Sequence, residues 1–128
     1  MNMEIAKSLV RDYLTSVTSY AGDIGGAPED VTEYHESVLD MKLAAEERGD
    51  LKYLQLAIDR LLVDPSENAP SYARIHYHYS PEEMKELLGY IRSVVWPDLP
   101  PPKSEDVKRI HFVEMSAEEW RAGRENIR

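Results

Sequence analysis

The chain has 128 residues, no cysteine and a net charge of −9, from 24 acidic and 15 basic residues. That length suits one core without staples, and the lack of cysteine excludes disulfides and thiolate metal sites. The charge argues against nucleic acid as a direct ligand, because phosphate binding needs clustered cations, and no apolar run approaches the ~18 residues of a membrane span. The opening MNMEIAKSLV lacks the basic-then-apolar layout of a secretory signal, so the expectation is a soluble, cytoplasmic protein with no membrane partner.

From Asn2 to about Tyr20, the residues Ile5, Ala6, Leu9, Val10, Tyr13, Leu14 and Val17 recur at helical spacing and predict a first amphipathic helix. Gly22, Gly25 and Gly26 then predict a loop. Its GDIGGAP run has neither the Lys-Ser/Thr of a phosphate loop nor a strand ahead of it.

Residues 28 to 65 read as a helical hairpin around which the chain is organised. In its first helix Glu29, Glu33, Glu36, Asp40 and Glu47 fall within an arc of roughly 60° at 100° per residue, with no Lys or Arg among them. Val31, Tyr34, Val38, Met41 and Ala45 lie opposite, on an apolar face for the core. Gly49 is placed to close this helix in the left-handed conformation, and Asp50 to cap the next. That second helix is apolar on two sides, through Leu51, Leu54, Ile58, Leu61 and Leu62 and through Tyr53, Leu56 and Val63. It should sit centrally until Asp64-Pro65 ends it.

The turn SENAPS leads into YARIHYHY, whose alternation predicts a short strand at about 73–79. Ser80-Pro81-Glu82-Glu83 is a helix start with a capping box, and Met84, Leu87, Leu88, Ile91 and Val95 give that helix its buried face. Prolines at 97 and 100–102 make 97–102 an extended strap. KRIHFVEM repeats the alternation, predicting a strand at 108–114 that pairs antiparallel with 73–79 as a small ribbon. Ser116 and Glu119 open a short C-terminal helix whose tail, 121–128, is expected to fray. The predicted fold is mainly α: a single-domain bundle of four main helices with a short terminal one.

The one-sided stripe carries the functional expectation. Ordinary solvated faces mix signs, because Glu with Lys four residues on stabilises a helix by a few tenths of a kcal/mol (~0.2–0.5) and like pairs cost as much. The helix dipole accounts for Glu29, Asp30 and Glu33 in the first turn, but not for Glu36, Asp40 and Glu47. The charge is local as well: residues 28 to 65 carry −6 of the −9, and the other three quarters of the chain −1 each. The competing reading is a solvated face kept for solubility.

His76 and His78 share one face of the predicted strand, a spacing that suits zinc or iron, and His111 on the paired strand would be a third metal ligand. The bland alternative is the exposed side of a ribbon. The eight tyrosines are expected at core edges with their hydroxyls in water. The PxxP pattern at 97–102 reads as a surface connection. No Ser nucleophile sits in a recognisable turn, and no cofactor signature is present.

The segment AAEERGDLKYLQLAIDRLL is loosely similar to the opening helices of addiction-module antidote proteins, and AIDRLLVDP looks like the second helix of a tetratricopeptide repeat. The first family would continue into a basic DNA-reading helix pair where SYARIHYHYSPEEM stands here. The second needs a repeated period that is absent, so neither resemblance transfers functional residues. The expected function is a non-enzymatic protein-binding module of the inhibitor, immunity or adaptor kind, docking a partner with a basic surface through Glu29, Glu33, Glu36, Asp40 and Glu47. The alternatives are a metal-dependent enzyme or metal sensor on the histidines, and an oligomeric regulatory or phage-type scaffold.

Overall fold

A computed structural model describes residues 3–26, 28–64, 67–73 and 77–127, the last four of these by backbone alone. Helical periodicity governs most of it. The exception comes at the start, where Met3–Ala6 forms a strand, β1, before helix α1 runs from Lys7 to Ile24. Ile5 and Ala6, predicted as helical, are fully buried in that strand. α1 buries Leu9, Val10, Tyr13, Leu14, Val17 and Ala21 along one side and stops at Gly25, whose φ of 81° only glycine adopts freely.

The hairpin's first helix begins in two steps. Asp30 caps a single 3-10 turn, Val31–Tyr34, its side chain accepting the Thr32 N–H at 2.9 Å, and α2 follows from His35 to Arg48. Gly49 closes α2 at φ 73°, as its position predicted, and α3 spans Leu51–Val63. Asp50 does not cap α3 with its side chain, contrary to expectation, because two donors from distant elements claim that carboxylate.

After a 3-10 turn at Ala69–Ala73, α4 spans Pro81–Val95 with the predicted capping box intact. Ser80 Oγ accepts the Glu83 N–H at 3.1 Å, and Glu83 Oε1 accepts the Ser80 N–H at 2.9 Å. The strap leads to a one-turn helix α5, Ser104–Val107, and then to strand β2, Ile110–Val113. A second reciprocal pair, Ser116 with Glu119, opens α6, Ala117–Ile127. The backbone stays helical well into the tail that was expected to fray.

The sheet corrects the predicted ribbon. β2 lies where the alternation put it, but its partner is β1 and the pairing is parallel, with Met3 opposite Ile110 and Ala6 opposite Val113. Residues 77–80 form no strand, and 74–76 lie outside the described residues. A parallel pair needs a long crossover, here nearly the whole chain, so no turn signal announces it.

α1 packs on α2 and on the Ala69–Ala73 turn, α2 on α3 and α4, and α3 on α4 and α5. Leu14, Val38, Leu54, Ile58, Leu88 and Ile91 meet fully buried in the middle, each burial being worth ~1.5–3 kcal/mol relative to exposure. Among the described residues no helix is long and apolar enough to cross a membrane.

Candidate functional site

α2 carries exposed carboxylates on the side away from the core. Val38, Met41 and Ala45 are buried, while Glu36, Asp40 and Glu47 on the far side are exposed and lie within about 40° of one another. Glu33, in the preceding 3-10 turn, and Glu29, ahead of it, are exposed too. Among the described residues none of the five enters an ion pair. Glu33 accepts the Tyr20 hydroxyl at 3.0 Å, and Lys42, at the ridge's flank, is bound to Glu46 at 3.9 Å. The 3-10 turn breaks the single helical phase assumed from sequence, so the stripe is a three-carboxylate ridge on α2 with two more carboxylates at its N-terminal approach.

Leu39 and Leu43 stand among these carboxylates. They are 44% and 56% exposed and, at 100° per residue, share a sector about 100° wide with Glu36, Asp40 and Glu47. The other large apolar side chains exposed among the described residues, Ile24 and Leu99, belong to other elements. An isolated exposed leucine is ordinary; two at i and i+4 on one acidic face make a patch. Their periodicity is visible in the sequence, but a reading by charge alone passes over them.

The histidines are not brought together. His76 lies outside the described residues, His78 is exposed in the irregular segment before α4, and His111 is exposed on β2, opposite Glu4 of β1. Among the described residues no three His, Asp or Glu side chains are placed to hold a metal ion. His35 lies 3.1 Å from the Tyr90 hydroxyl.

Two buried polar centres tie the elements together; the first was missed by placing the tyrosine hydroxyls in water, the second because Asp59 and Arg92 meet across 33 residues. Asp50, 6% exposed, accepts the Tyr13 hydroxyl at 2.6 Å and the Trp120 indole N–H at 3.2 Å, joining α1, the α2–α3 turn and α6. Burial, and then the bond to Asp50, push Tyr13 up to about 12. Asp59 accepts Arg92 Nε at 2.6 Å and Gln55 Nε2 at 2.6 Å, and Arg92 Nη2 reaches the Pro100 carbonyl at 2.7 Å, pinning the strap to α4. A cleft of about 360 Å³ opens beside that strap, with the Asp59–Arg92 pair in its wall.

No known protein family, curated protein or solved structure matches the chain.

Proposed function

We propose that the chain is a non-enzymatic protein-binding module, of the inhibitor, immunity or adaptor kind, that docks a basic partner surface through the outward face of α2. What carries this reading is the pair of half-exposed leucines, Leu39 and Leu43, set among carboxylates that enter no ion pair among the described residues. Solubility accounts for the charge but not for the leucines. Binding accounts for both, with the apolar pair as anchor and the charged surround as the rim that steers and selects the partner.

The same charge disfavours self-association through this face. A two-fold contact would set Glu36, Asp40 and Glu47 against their own copies, so a complementary basic partner suits the ridge better than a second copy of the chain.

The test is affinity capture from an extract of the protein's own cells. The intact chain is compared with Leu39→Ser/Leu43→Ser and with Glu36→Gln/Asp40→Asn, at low salt and at ~1 M salt, where the screening length is about 3 Å. A protein retained by the intact chain, lost from both variants and released by salt supports the reading. Retention by both variants, or indifference to salt, overturns it.

A further inference from the structure

A second acidic feature adjoins the approach to the ridge and has a different build. Between the Val31–Tyr34 turn and the start of α4 lies a cleft of about 180 Å³ with Val31, Leu87 and Pro28 as its apolar surface. Tyr34 and Tyr79 also line it, 1% and 6% exposed, with their hydroxyl oxygens 2.5 Å apart. Each phenol carries one O–H, and their mutual bond uses one of the two. Among the described residues the remaining O–H has no acceptor, and the cleft is the space both side chains border. A buried donor left unmade is costly, so the geometry asks for an acceptor there.

The mouth asks for a cation. Glu82 and Glu86, one turn apart on α4, are exposed and enter no ion pair among the described residues. Glu83, the third carboxylate, is held by the Ser80 N–H and by the Tyr77 hydroxyl at 3.1 Å. Among the described residues no Lys or Arg lines the cleft. A bare metal ion fits poorly, since these carboxylates do not converge as ligands and the surface between them is hydrocarbon.

We propose that this cleft receives a lysine side chain of the partner, its ammonium between Glu82 and Glu86, its stem on Val31 and Leu87, and a neighbouring backbone carbonyl accepting the spare tyrosine O–H. Lysine suits it better than arginine. A compact ammonium with three rotatable donors bridges two separate carboxylates, whereas the guanidinium fork matches a single one. The cleft's Pro28 and Val31 flank Glu29 of the approach to the ridge, so one basic segment can reach both. The proposal rests on the docking reading and names a residue type that the partner supplies.

The experiment titrates the full chain with acetyl-Gly-Lys-Gly-amide, acetyl-Gly-norleucine-Gly-amide and n-butylamine, following the methyl resonances of Val31, Leu87, Leu39 and Leu43. The lysine peptide is expected to shift Val31 and Leu87 saturably, the norleucine peptide not at all, and butylamine, lacking the carbonyl, to bind about tenfold more weakly. Glu82→Gln/Glu86→Gln, both exposed, should weaken the lysine peptide about tenfold, and Glu36→Gln/Asp40→Asn should leave it unchanged. Equal binding of the norleucine peptide, equal binding of butylamine, or shifts confined to Leu39 and Leu43 would overturn the proposal. Those failures leave the ridge reading standing, because that is decided by the Leu39 and Leu43 variants.

Discussion

Three carboxylates away from α2 meet cations. Asp59 takes Arg92 at 2.6 Å, Asp64 takes Arg60 at 2.9 Å, and Glu114 beyond β2 takes Lys7 at 3.3 Å. Along the outer face of α2, by contrast, Glu36, Asp40 and Glu47 face water around two leucines, without an ion pair among the described residues. The chain has 15 Lys and Arg to distribute, so the ridge reflects where they are placed rather than a shortage. Pairing serves the fold on one side, and its absence leaves a surface with unspent attraction on the other.

The contrast breaks most visibly at Arg92→Met. It strands Asp59, whose side chain is 8% exposed, and should cost ~3–5 kcal/mol in denaturant unfolding, because the charge left behind stays buried. Tyr13→Phe removes a 2.6 Å donor from Asp50 and should cost about 1–3 kcal/mol by the same measurement. Ser80→Ala removes the cap of α4 and should cost about 1 kcal/mol. On the ridge, Glu36→Gln/Asp40→Asn should change stability by no more than about 0.5 kcal/mol, since it relieves a like-charge pair and breaks no ion pair. A large loss there would mean the ridge is structural, and the two sides would no longer differ.

Acid sharpens the same contrast. The Ser80 N–H, and then the Tyr77 hydroxyl, hold Glu83 below its ordinary value of 4.5. A carboxyl depressed in the folded state contributes stability that is full above its unfolded value and is lost as pH falls through the lower folded one. Lys7 and then Arg11 depress Glu114 likewise. Stability should therefore fall as pH drops from about 5 towards 3, and Glu83→Gln should flatten that slope.

What the sequence made legible was local. Ser80-Pro81 with Glu83, Ser116 with Glu119, and Gly49 all announced their helix ends, because each signal acts within a few residues. β1 was illegible because Ile5, Ala6 and Leu9 fit a helical period equally well, and the strand that claims Ile5 is more than a hundred residues away. Asp50 looked like a cap until Tyr13 and Trp120, 37 and 70 residues distant, competed for its oxygens. Exposure of the carboxylates followed from the phase of the helix. The change from 3-10 to α geometry at Tyr34 did not, since a 3-10 turn ahead of an α-helix has no sharp sequence mark. The cleft beside it depends on Tyr34 and Tyr79 meeting across 45 residues.

The most direct test of the ridge as a docking surface places a photo-crosslinking benzophenone amino acid at position 43 in living cells, with Lys108, exposed between α5 and β2, as the comparison position. A discrete adduct at 43, absent at 108 and abolished by Glu36→Gln/Asp40→Asn, is the predicted result. No adduct at 43, or the same adducts from both positions, would contradict it.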